Sequence, residues 1–148
     1  MKNIFILLIC STIGLQGCDK NGPGDSYDLS NPIAPYVALS STADIEVVQG
    51  DDAKVIFSVR TAFQQKVTVY YHVTGAIELA DQTATIERNK TSVAIFIPTP
   101  ADIITTPGTT EEAMVTLTKA TTEGGRELTI GQRNDPETQH VNIVIGDQ

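Results

Sequence analysis

VVQGDDAKVIFSV, residues 47–59, carries the two signals that decide the fold. Ala53, Val55, Phe57 and Val59 fall at every second position, the period of a strand with one buried face. Just before them, Gly50-Asp51-Asp52 supplies turn chemistry: a glycine free to take positive φ, then aspartates that can bond their own backbone. An amphipathic helix would instead place apolar residues three and four apart. No window of the chain shows such a stripe.

Outward from this stretch the same alternation returns. Val67, Val69, Tyr71 and Val73 share a face, as do Val93, Ile95 and Ile97, then Val115 and Leu117, then Val141, Ile143 and Ile145. Residues 36–48 and 82–86 give two weaker strands, and threonine is dense between 99 and 122. Val, Ile and Thr are stiff at χ1 and favour pleated backbone. Glu87-Arg88-Asn89-Lys90 and Gly124-Gly125 punctuate the run as turns. The sequence predicts strands A to G at roughly 36–48, 53–61, 66–74, 82–86, 92–98, 113–119 and 139–145. Short strands at this spacing define an all-β fold, an immunoglobulin-like antiparallel β-sandwich of about seven strands over residues 36–148.

The N-terminus has a different composition. Lys2 precedes an apolar stretch from Ile4 to Ile13, too short for a bilayer, which needs roughly 20 residues, but suited to a secretory signal. Leu15-Gln16-Gly17 before Cys18 resembles the lipobox of bacterial lipoproteins. The resemblance implies a signal peptide over 1–17, cleavage before Cys18 and lipid on its sulfur. Residues 18–35 form the expected tether, DKNGPGDSYDLSNPIAP after the cysteine, rich in Gly, Pro, Asp and Ser. The expected location is a bacterial cell envelope, lipid-anchored at the outer membrane. Cys10 lies in the signal, so the mature chain has no cysteine pair for a disulfide. The formal charge is -8, and the signal removes Lys2 and no acid, leaving the remainder more acidic still. Such a chain repels nucleic acid and anionic lipid.

Three stretches together resemble a Calx-beta domain: VVQGDDAKVIFSV at 47–59, TATIERNKTSVAIFIP at 83–98, and EEAMVTLTKATTEGGRELTIGQRNDPETQHVNIVI at 111–145. The likeness lies in a turn before strand B, a Val-Thr-Leu strand leading to a glycine loop, and a final strand. Gln49 stands where that family's turn has glutamate. The resemblance implies calcium bound by loops at one end of the sandwich. Strand alternation alone puts loops A–B, C–D, E–F and the tail after G at one end. That end is predicted to gather Asp51, Asp52, Asp81, Glu111 and Glu112, with Glu78, Asp102 and Asp147 nearby, either as solvated loop ends that keep the protein soluble or as the calcium ligands the resemblance implies. The other end is predicted to hold Lys66, Arg88, Lys90, Arg126 and Arg133. Hard cations want six to eight oxygens, several from carboxylates.

Little here reads as catalysis, and no enzyme is expected. His72 and His140, each on a predicted strand, lack further Cys or His ligands at zinc spacing. There is no G-x-S-x-G, no phosphate-cradling glycine loop and no free thiol nucleophile. Glu111 and Glu112 adjoin, so on a strand they point to opposite faces. Tyr71 keeps phase with the core valines, and Tyr70 is expected outside, where an exposed aromatic can serve as a contact residue. Two functions fit: a non-catalytic binding or spacer module meeting a protein or glycan, or a pilus-like or envelope-assembly subunit joined by β-strand addition. The second needs an alternating apolar donor segment, which residues 19–35 lack.

Overall fold

The alternations become nine strands in the computed structural model, which describes residues 34–132 and 135–147. These are β1 (Tyr36–Leu39), β2 (Ile45–Val48), β3 (Asp52–Val59), β4 (Val67–Gly75), β5 (Leu79–Ile86), β6 (Ser92–Pro98), β7 (Thr110–Thr122), β8 (Thr129–Ile130) and β9 (His140–Gly146). A 3-10 turn, Pro136–Gln139, capped by the Asp135 side chain, leads into β9. One sheet runs β6-β3-β1-β8 and the other β2-β9-β7-β4-β5. The sandwich predicted from period two is present, and most of its predicted inward residues form the core, with Val93 and Ile95 only half-buried and Ile77 and Leu128 added. Val55, Phe57, Val69, Val115, Leu117 and Ile143 are all at most 1 % exposed. Phe57 of the first sheet meets Tyr71 of the second with ring centroids 5.3 Å apart, tilted by 44°. Burial beside that ring pushes the Tyr71 hydroxyl above its ordinary pKa.

Strand A departs from the expectation. It is two strands, β1 pairing antiparallel with β3 and β2 pairing parallel with β9, so the chain changes sheets between them. The cause is SSTA, residues 40–43, which has no large apolar side chain to hold it in either sheet and leaves all four exposed. Strands D and F run longer than predicted, as β5 and β7. Their extra residues, among them Asp81, Glu111 and Glu112, are polar but still pair through the backbone. β8 pairs parallel with β1 over two residues, too few to show an alternation.

The registers fix the two ends. Val48 lies opposite Gly146, Gly146 opposite Thr110, Asp52 opposite Pro98 and Gly75 opposite Ala113. The A–B, C–D and E–F loops and the tail after β9 therefore share one end, as expected. Val37 lies opposite Val59, so the chain enters the sandwich at the other end. There Ala34, Pro35 and Tyr36 line a small pocket with Arg60 and Phe63.

Candidate functional site

A groove of roughly 750 Å³ opens at the acidic end, lined by Glu46, Val47, Val48, Asp51, Asp52, Thr110, Val144 and Gly146. Its walls come from β2, at the margin of the five-stranded sheet, and from the turn into β3. A buried threonine sets that turn. Thr99 is 5 % exposed and continues the inward parity of Ile95 and Ile97. Its hydroxyl donates to the Asp51 carbonyl (2.7 Å) and accepts from the Gly50 N–H (3.0 Å). The Thr99 N–H also donates to the Asp51 carbonyl at 3.1 Å. The backbone under Asp51 and Asp52 is thus held from below while both carboxylates stay in solvent.

The other polar groups of this end are committed to the loops themselves. Gln49 accepts the Ile104 N–H at 3.1 Å and so pins the long β6–β7 loop. Asp147 accepts the Gly108 N–H at 2.6 Å. An amide suits the first task, because it satisfies a backbone donor without adding charge to an acidic end.

The five expected ligands are only partly brought together. Asp51 and Asp52 adjoin in the groove, with Glu46, a residue that reading 36–48 as one strand conceals. Glu111 and Glu112 open β7 opposite Ile145 and Val144; both are exposed and neither lines the groove. Asp81 is elsewhere. It sits within β5, at the far margin of the sheet from β2, with φ 51° where Tyr71 pairs with Gln82 and Val73 with Leu79. That spacing marks an extra residue in β5, and aspartate is among the few non-glycine residues tolerating the left-handed region. Asp81 therefore borders His72 and Thr83 on the outer face.

Among the described residues no three His, Cys, Asp or Glu side chains are close enough to share a metal ion. The donor set, two adjacent aspartates and one glutamate with the neighbouring amide and carboxylate already engaged, does not fit a calcium cage of six or more oxygens.

Charge is nonetheless polarised. The ion pairs among the described residues are Lys66–Glu87 (3.2 Å), Arg88–Glu123 (2.8 Å) and Lys119–Glu127 (3.9 Å), all toward the end where the chain enters. The bond from Arg88 lowers the Glu123 pKa. These pairs are exposed and contribute little stability. At the groove end, Glu46, Asp51, Asp52, Glu111 and Glu112 take part in no ion pair among the described residues.

Two sheets, a split first strand and loops gathered at one end define a Calx-beta-like sandwich. A search of solved structures finds that fold. The apo-form Calx CBD1 domain superposes with a TM-score of 0.56 at 11% identity, covering 78% of this chain and 98% of that domain. CBD12 from CALX1.2 gives 0.52 at 11% identity, covering 76% of this chain and 44% of that one. At that identity the likeness concerns fold. No family model matches the sequence, and no curated protein does.

Proposed function

We propose that this chain is a lipid-anchored, non-catalytic binding module of the cell envelope. Its acidic groove takes a protein partner bearing a basic, partly apolar segment. The observation that carries the reading is the opposition of entry point and groove: the chain enters beside Val59, whereas the groove forms at Val48, Asp52 and Gly146. The described chain begins at the entry end, so a tether from Cys18, which lies outside the described residues, would join the sandwich at the end opposite the groove. The lining suits contact and not chemistry: carboxylates, three valines and one threonine, with no histidine, cysteine or lysine.

Two expected results test this. Cys18→Ser should leave uncleaved precursor and abolish labelling of the chain by a fatty-acid probe in its bacterial host; unchanged labelling would remove the anchor from the proposal. The full chain in detergent should bind a peptide of alternating lysine and valine and ignore its glutamate counterpart. Affinity should fall steeply with salt, because exposed charges are screened within about 10 Å at 0.1 M. Asp51→Asn with Asp52→Asn should weaken binding about tenfold, and calcium should compete no better than other divalent cations. Calcium-dependent tightening would instead restore the calcium reading.

A further inference from the structure

We infer that the free edge of β6 is a self-pairing surface, through which two copies of this chain join into one continuous sheet. The inference is independent of the groove. β6 ends the four-stranded sheet and bonds only β3 within it. The Val59 N–H donates to the Thr91 carbonyl and the Thr99 N–H to the Asp51 carbonyl, so odd-numbered residues of this segment turn their backbone groups toward β3. The even-numbered residues turn theirs outward. Among the described residues, Ser92, Ala94 and Phe96 thus present unpaired N–H and C=O groups, and Pro98 presents a carbonyl alone.

Sheet margins are usually blunted by charge, bulges or brevity. The other margins here follow that rule. β2 carries Glu46, β5 carries the bulge at Asp81, and β8 has two residues. β6 has seven residues, no charge and no irregularity in its register. Its outer face exposes Phe96 at 61%, and Val93 and Ile95 on its core side are only half-buried. A strand laid along this edge would cover apolar surface on both faces.

The occupant is a second β6 because the strand complements itself. In the antiparallel two-fold arrangement that overlaps Ser92–Pro98 fully, Ala94 faces Phe96 of the other copy. Each free N–H then meets a carbonyl: Ala94 and Phe96 exchange both bonds, and Ser92 donates to Pro98. The missing proline donor falls at the outermost position, where water can serve the leftover carbonyl. Each Phe96 ring lies over a small alanine, Ile95 meets Ile95 on the axis, and Val93 meets Ile97. In a chain of net charge -8, two copies meet most readily where neither carries charge.

The axis residue gives the test. Ile95 would form a non-hydrogen-bonded pair with its own copy, Cα atoms about 4.5 Å apart, within disulfide range. In the full chain carrying Cys10→Ser and Cys18→Ser, Ile95→Cys should oxidise to a covalent dimer, and a Thr83→Cys control on β5 should not. The chain with native β6 should sediment as a dimer at micromolar concentration. Ala94→Pro, which removes an N–H that β3 does not use, should weaken that dimer about tenfold or more while leaving the monomer folded. Phe96→Lys should do the same through charge. A monomer at hundreds of micromolar, a dimer indifferent to both substitutions, or an Ile95→Cys chain whose new thiol captures only other proteins would each overturn self-pairing.

Discussion

Phe57→Ala is expected to cost the sandwich about 3–5 kcal/mol, the usual range for removing a fully buried aromatic ring. Phe57 is 0% exposed and projects from β3 at mid-sandwich, where it meets Tyr71 of the opposite sheet. Its register partners are Leu39 and Val93, and the core is mostly valine and isoleucine on pleated strands, stiff at χ1, which resists collapse into the vacated space. No disulfide within 34–148 can offset the loss, because that segment contains no cysteine. Against a typical total of about 5–15 kcal/mol, the change removes roughly a fifth or more of the margin. Thermal denaturation of the full chain should show a fall of well over ten degrees, at roughly 4–8 °C per kcal/mol for a domain near this size. Phe57→Leu should recover most of it. Tyr71 supplies a second readout. Its raised pKa means the buried neutral phenol contributes stability that is whole below pH 10.0 and is lost as pH rises through the folded value. Opening a cavity beside it should move its titration back toward 10.0. An intact melting temperature would mean that the sheets are held elsewhere.

Phe57 is legible in the sequence because its neighbours alternate, and the same holds for most of the core. Strands with apolar residues at every second position, β3, β4, β6 and β9, lie within a residue or two of their predicted bounds. The departures share one physical cause. A period-two signal disappears when the alternating residues are polar, yet backbone pairing continues. Thus β7 begins at Thr110 and β5 at Leu79, and Asp81, expected in a loop, is a left-handed residue within a strand. Strand A departs in the opposite way: SSTA, residues 40–43, interrupts the apolar pattern only briefly, and nothing local shows that the chain crosses from one sheet to the other there. The groove depends on that crossing. β2 brings Glu46 beside Asp51 and Asp52, so part of the site is hidden with the split. Thr99 is within reach of sequence reasoning, because it keeps the inward parity of β6 one step past Pro98. The charge polarity needs only a strand count and an alternation of ends, although Asp81 lies within β5 and Arg133 lies outside the described residues.

Gly75→Ala is expected to cost about 3 kcal/mol, a large effect for one methyl group. Gly75 ends β4 with φ 103°, a conformation in which any side chain is strained, at about 1–2 kcal/mol. The rest comes from a collision. A Cβ there would stand 2.6 Å from the Glu112 carbonyl oxygen and 3.2 Å from the Ala113 Cα, both backbone atoms of β7. Side-chain rotation cannot relieve such a contact; the strands must separate. The Glu112 carbonyl also accepts the Ala76 N–H at 2.8 Å, so separation breaks a bond that seats the β4–β5 connection. Ile77, 7% exposed in that connection, would lose its place in the core. Gly108→Ala is the control. Gly108 has φ 77° with nothing within 4 Å of where a methyl group would stand, so it bears the conformational strain alone, about 1 kcal/mol. In chemical denaturation the difference between the two substitutions isolates the contact with β7. If they destabilise equally, the close approach of β4 to β7 is not what demands glycine at 75, and its backbone conformation is.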